Sequence, residues 1–120
     1  MPTREVLSPA QRASLLTIPD DLSERELARY YTFSEEDRII IKRHRKDKNR
    51  LGFAVQLGHL RFPGWPWDPA VPLPESIIAY IAGQLDLDPG ELAAYATRDP
   101  TRREHLKEIR RLWRGQLIVK

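Results

Sequence analysis

Apolar residues recur along the chain at intervals of three and four positions, which is the spacing of helices with one buried side. The alternating pattern of a half-buried strand is not found. A first helix is predicted after Ser8, because this capping serine is followed by Pro9 and then by Leu15, Leu16 and Ile18. The chain is therefore predicted to be all-α.

Capping signals place the starts of four further helices. A serine with a carboxylate three residues later has the spacing of a capping box, in which each side chain bonds the other residue's backbone N–H. An aspartate followed by proline is a second start signal. The four signals are Ser23 with Glu26, Ser34 with Asp37, Asp88 with Pro89, and Asp99 with Pro100. A helix that includes Ile77 and Ile81 is predicted to end where its apolar pattern stops, at Leu85-Asp86.

One long loop interrupts the helices. Five prolines lie between Phe62 and Glu75, and neither a helix interior nor a central strand tolerates that density. Trp65 and Trp67 lie in this loop and could stack on bases or form an exposed contact patch for a partner. We favour a third role, in which the indole rings anchor the loop against the helices, because a loop of this length needs packed side chains to hold it.

The fold class expected from these elements is an all-α, compact bundle of about six or seven short helices with one loop rich in proline and tryptophan. The 120 residues, 41% of them hydrophobic, suffice for one domain with a modest core. We expect a single helical domain over residues 1–120. It could contain two helix-turn-helix-like halves, at about 1–62 and 75–114.

Charge is segregated along the chain, although the net charge is only +3. Residues 1–37 carry a net −4, 38–62 a net +7, 63–96 a net −5 and 97–120 a net +5. Each basic block can place several cations within a Debye length of about 8 Å, which favours a polyanionic partner held at two places. The alternative is a solvated charged surface without a partner.

The first basic block leads into a predicted helix from about residue 48 to 62, preceded by one at about 35–44. Together they would form a helix-turn-helix pair. Asn49, Gly52, Gln56 and His59 fall on one stripe, which we expect to face away from the core. Asn and Gln can pair with adenine, whereas Arg and Lys suit phosphates or guanine. The predicted DNA contacts here are Arg43, Arg45, Lys46, Lys48, Asn49, Arg50 and Gln56.

The second basic block follows Pro100. Leu106, Ile109, Leu112 and Trp113 mark a buried side, with a basic stripe opposite. The segment before it, IIAYIAGQLDLDPGELAAY, is predicted to form two helices joined by a short turn, which suits the first part of a helix-turn-helix. Glu104 and Glu108 weaken this interpretation, because Glu104 can pair with Lys107 on the same helix surface. The predicted DNA contacts here are Arg98, Thr101, Arg102, Arg103, Lys107 and Arg110, and Arg114 continues the stripe.

Signatures of catalysis and metal binding are missing from the sequence. There is no cysteine, and the three histidines lack the spacing of H-E-x-x-H. Neither a phosphate-binding loop nor a G-x-S-x-G elbow is present. We therefore expect no catalytic residue, metal or small-molecule cofactor in this segment. The absence of a signal peptide or an apolar run of membrane-spanning length leads us to expect a soluble protein of the cytoplasm, with no membrane partner.

Three stretches together carry a family resemblance: SPAQR, YYTFSEEDRIIIKRHRKDKNRLGFAVQLGHLRFPG and PGELAAYATRDPTRREHLKEIR. They resemble the amino-terminal domain of the Tn-three family of replicative transposases, over about Leu7 to Arg111. The resemblance implies part of a longer, nucleoid-associated bacterial protein whose front end recognises the terminal inverted repeats of the transposon. It also implies that an Asp-Asp-Glu triad for catalysis lies elsewhere. The implied partners are double-stranded DNA at the transposon ends and the rest of the transposase or other transposase subunits.

A competing hypothesis comes from a different class of function. The chain could be a helical interaction or dimerisation module of the transposase, docking through Trp65, Trp67 and the acidic blocks without direct contact to bases.

Overall fold

The computed structural model describes residues 22–71 and 73–115, with side chains up to residue 112. These ranges contain six α-helices and no strand, so the all-α prediction is confirmed. The helices are α1 Glu24–Tyr31, α2 Glu35–Lys42, α3 Asp47–Arg61, α4 Glu75–Leu85, α5 Glu91–Ala96 and α6 Asp99–Gly115. The helix predicted after Ser8 lies outside the described residues.

Both predicted capping boxes are present. The Ser23 hydroxyl accepts from the Glu26 backbone N–H at 3.1 Å, and the Glu26 carboxylate accepts from the Ser23 N–H at 2.9 Å. Ser34 and Asp37 repeat the arrangement at 3.1 and 2.9 Å. The starts of α1 and α2 are therefore fixed by local hydrogen bonds that satisfy otherwise unpaired backbone donors.

The aspartate-proline signals are less accurate. Asp88 does not cap α5 directly: its carboxylate accepts from the Gly90 N–H at 2.9 Å in a turn, and α5 begins only at Glu91. Asp99 is the first residue of α6 rather than the residue before it. The predicted end of α4 is confirmed, because the helix stops at Leu85 and Asp86 adopts a left-handed conformation with φ 58°.

Helix α3 is the centre of the fold and contacts each of the other five helices. Every residue from 51 to 60 is buried, so this helix has no solvent-facing side over those residues. Gly52 lies directly against the ring of Tyr95, and a Cβ at position 52 would overlap that ring. The close approach of α5 to α3 therefore requires a glycine at this point.

The proline-rich loop between α3 and α4 is packed onto this core. Trp67 is only 9% exposed, and its ring stacks on Tyr95 with centroids 6.2 Å apart. The Trp65 carbonyl accepts from His59 Nδ1 at 2.6 Å, although its indole is only half-buried. Anchoring, the role we favoured for the tryptophans, is confirmed for Trp67.

A partly buried ion pair joins the first turn of α2 to the last turn of α3. Asp37 is 2% exposed, and its two oxygens accept from the Arg61 guanidinium at 2.8 and 2.9 Å. The bidentate geometry stabilises the antiparallel placement of these two helices. None of the six described helices is both long and apolar enough to cross a bilayer.

Candidate nucleic-acid interface

The two basic segments lie side by side in the fold. The basic turn, defined here as residues 43–50, comprises the link between α2 and α3 and the first turn of α3. It faces α6 across an open cleft of about 700 Å³. Arg43 and His44 line one side of the cleft, and Thr101, Glu104, Glu108 and Arg111 of α6 line the other. Two cationic segments about fifty residues apart in sequence thus line the same cleft.

Most of the predicted DNA-contacting residues lie at the surface of these two segments. The exposed ones are Arg43, Arg45, Lys46, Arg98, Arg103, Lys107 and Arg110. Those half-buried are Lys48, Asn49, Arg50, Thr101 and Arg102. Arg114, the last member of the α6 stripe, lies beyond the described side chains.

Gln56 is the exception, and the prediction that it contacts bases is wrong. It is 3% exposed, and its Nε2 donates to the Tyr95 hydroxyl at 2.7 Å and to the Arg102 carbonyl at 3.0 Å. Gly52 and His59 on the same stripe are also buried. The stripe does not face solvent, because α5, α6 and the proline-rich loop cover it.

This burial also removes α3 as a helix that could enter a DNA groove. Residues 51–60 would have to leave the core to reach a base edge. The predicted pairing of α2 with α3 as a helix-turn-helix therefore lacks an exposed second helix. What remains accessible is the basic turn at the start of α3.

A buried polar network holds α6 in place. The Tyr95 hydroxyl accepts from Gln56 and lies 2.8 Å from His105 Nδ1, which links α3, α5 and α6. Burial raises the pKa of Tyr95 to about 12. Burial, together with the nearby His44, lowers the pKa of His105 to about 4. His105 is therefore neutral at pH 7, and its Nδ1 accepts the proton that Tyr95 donates.

The basic turn is fixed against α6 through His44. Its ring lies 4.4 Å, centroid to centroid, from both Phe53 and His105. His44 Nε2 lies 3.3 Å from a Glu108 oxygen, and the His44 carbonyl accepts from Arg50 Nε at 2.7 Å. The relative position of the basic turn and α6 is thus set by packed side chains.

Internal ion pairs occupy only some of the cations. Asp99 pairs with Arg102 and, at 3.6 Å, with Arg103, and Asp47 lies 3.8 Å from Arg50. Within residues 22–71 and 73–112, several basic side chains have no carboxylate partner. They are Lys42, Arg43, Arg45, Lys46, Lys48, Arg98, Lys107, Arg110 and Arg111. A polyanion could bind these cations without displacing a partner.

Sequence reasoning missed two features of this region. Arg111 lines the cleft, and its position one turn after Lys107 could have identified it. The hydrogen bonds of Tyr95 and His105 could not be predicted from the sequence, because the partners are far apart along the chain. In the described part of the chain, no three histidine or carboxylate side chains come together as metal ligands would.

Comparison with known proteins adds an independent observation. Residues 6–117 match a family model described as a domain of unknown function, DUF4158. The chain is 47% identical over 107 residues to the transposase of transposon Tn1546 from Enterococcus faecium, and 46% identical over 110 residues to that of Tn501 from Pseudomonas aeruginosa. The transposase of Tn21 from Escherichia coli is 44% identical over 110 residues. These alignments cover 89 to 92% of this chain but 11% of each relative.

Proposed function

Because the chain belongs to the DUF4158 family and is an amino-terminal domain of the Tn-three family of transposases, we propose that it binds the terminal inverted repeats of a transposon. It spans 11% of the length of the relatives it matches. The chemical steps of transposition would then belong to the remainder of such a protein.

The observation that supports DNA binding most strongly is that the basic turn and α6 line the same cleft. Arg43 of the basic turn and Arg111 of α6 line its opposite sides, and further unpaired cations continue along both segments. Cations arranged in this way neutralise phosphates and release condensed counterions, which supplies much of the affinity of proteins for DNA. The packing of His44 against His105 keeps the two segments at a fixed separation, so the surface is preorganised.

The exposure of the helices suggests how a duplex would dock. Helix α6 has an exposed face over much of its length, whereas α3 does not. Helix α5 ends at Ala96 and α6 begins at Asp99, so a turn of two residues joins them. We place α6 in the major groove, which is wide enough to admit a helix. The basic turn would then contact the sugar-phosphate backbone beside it.

The competing role as an interaction module is less well supported. It relied on Trp65, Trp67 and the acidic blocks as an exposed docking surface. Trp67 is buried against Tyr95 and Trp65 is half-buried, so the loop does not offer both indole rings to a partner.

Fluorescence anisotropy with labelled duplexes tests the proposal. The terminal inverted repeat of the encoding element is compared with a scrambled duplex of equal length over a range of salt concentrations. We expect tighter binding to the repeat at every salt concentration, and a log–log salt slope of about −0.9 for each phosphate neutralised. Equal affinity for the two duplexes would contradict recognition of the repeat, and no binding at low salt would contradict DNA binding altogether.

A matched pair of arginine substitutions locates the surface. Arg110→Ala removes an exposed cation of α6, whereas Arg25→Ala removes an exposed cation of α1, which does not pack against α6. We expect only the first change to weaken binding and to reduce the salt slope by about one. Similar losses from both variants would mean that charge acts without a defined interface.

A further inference from the structure

The exposed face of α6 is basic with one interruption. Pro100, Arg103, Glu104 and Lys107 are all exposed and are spaced at i, i+3, i+4 and i+7, so they share one side of the first two turns. Arg110 and Arg111 continue this side toward the end of the helix. Between Pro100 and Leu112, Glu104 is the one carboxylate among the exposed residues.

The Glu104 carboxylate makes no stabilising polar contact in the described part of the chain. It has no hydrogen bond or ion pair there, although Arg103 and Lys107 are close in sequence. The other two carboxylates of α6 differ in this respect, because Asp99 pairs with two arginines and Glu108 contacts His44. Glu104 also lines the cleft, opposite Arg43.

A carboxylate in this place has opposite effects on two kinds of contact. Phosphates repel it, so it weakens binding to every DNA sequence alike. In the major groove, however, a carboxylate can accept a hydrogen bond from the N4 amino group of cytosine. The arginines and lysine around it cannot make this contact, because they carry donors only.

We propose that Glu104 is a specificity-determining residue that accepts a hydrogen bond from the amino group of a cytosine when α6 lies in the major groove. This inference rests on the proposed DNA-binding function. In this arrangement Arg103 and Lys107 contact phosphates or a neighbouring guanine, and Glu104 penalises duplexes that lack a cytosine at its position.

The experiment compares the parent chain with Glu104→Ala and Glu104→Gln. Selection from a library of randomised duplexes first gives the preferred bases of the parent. Anisotropy then measures affinity for duplexes in which each selected cytosine is replaced in turn. We expect the parent to prefer cytosine at one position by about 5- to 100-fold and Glu104→Ala to lose that preference. Binding of Glu104→Ala to unselected duplexes should be unchanged or tighter.

Glu104→Gln gives a second readout that simple charge removal would not produce. Glutamine pairs with adenine through one acceptor and one donor, so the preference at the same position should change from cytosine to adenine. Glu75→Ala is the matched control, because Glu75 is an exposed acid on α4, which does not pack against α6. It should leave the base preference intact.

The outcomes separate this inference from the proposed function. If Glu104→Ala raises the affinity for all duplexes by one common factor and keeps the cytosine preference, Glu104 only repels phosphates and the inference is wrong while DNA binding stands. The inference is equally wrong if the parent selects a site without a cytosine preference. If the parent binds no duplex at low salt, the proposed function and this inference both fail.

Discussion

Gln56 provides a direct test of how α3 is placed in the fold. Its amide is buried and makes two hydrogen bonds, to the Tyr95 hydroxyl and to the Arg102 carbonyl. Gln56→Ala removes both bonds, which contribute about 1 kcal/mol each, and leaves space in the core that costs a further 1 to 2 kcal/mol, roughly. We therefore expect the free energy of unfolding to fall by about 3 kcal/mol.

Urea denaturation followed by circular dichroism measures this loss. A decrease of about 3 kcal/mol lowers the midpoint by about 1 to 3 M at an unchanged slope. Lys48→Ala is the control on the same helix, because the Lys48 side chain has no ion-pair partner in the described part of the chain and its replacement should change stability by less than about 0.5 kcal/mol. A Gln56→Ala variant as stable as Lys48→Ala, but with altered base preference, would refute the buried placement and support an outward-facing stripe.

Two further predictions concern the same interior. His105 has a folded-state pKa of about 4 against an ordinary value of 6.5, so its contribution to stability is complete above pH 6.5 and is lost as the pH falls toward 4. The loss amounts to about 3 kcal/mol. It should appear as a falling Tm, and an NMR titration of the His105 ring near pH 6.5 in the folded chain would contradict it. Gly52→Ala should destabilise the chain by about 3 kcal/mol or more because the methyl group meets the Tyr95 ring. Gly83→Ala, with no atom within 4 Å of the new methyl group, should be neutral or stabilising by up to about 1 kcal/mol, and thermal denaturation of the two variants would reveal the difference. A Gly52→Ala variant as stable as Gly83→Ala would show that helix propensity, not the ring contact, governs position 52.

Local signals predicted the helix boundaries well. The capping boxes at Ser23 and Ser34 involve residues three apart, so the sequence contains both partners of each hydrogen bond. The end of α4 at Asp86 likewise follows from the last apolar residue. The aspartate-proline signals were less accurate, since Asp88 also forms a turn with Gly90 and the helix begins beyond it.

The direction that a polar side chain faces could not be predicted in the same way. Helical periodicity places Gln56 opposite an apolar side but does not show what covers that position. Its hydrogen-bond partner Tyr95 is 39 residues further along the chain, and no local sequence pattern predicts a contact over that distance. A buried glutamine with satisfied hydrogen bonds and an exposed glutamine therefore look alike in sequence.

The candidate interface was predictable in part. The charge blocks identified both basic segments, because like charges in sequence remain near one another on a helix or a turn. Their meeting at one cleft depends on the packing of His44 against Phe53 and His105, which is a tertiary contact. The sequence therefore indicated which residues could bind a polyanion but not that Arg43 and Arg111 would line the same cleft.

The central claim is that the basic turn and α6 hold the same duplex. The salt dependence of the affinity tests it most directly. Anisotropy measures this dependence on the inverted-repeat duplex for the parent and for two double variants, Arg45→Ala/Lys46→Ala and Lys107→Ala/Arg110→Ala. Each double variant should reduce the magnitude of the log–log slope by about 2, and all three proteins should bind with the same stoichiometry. A slope that changes for one pair and not for the other would contradict the claim.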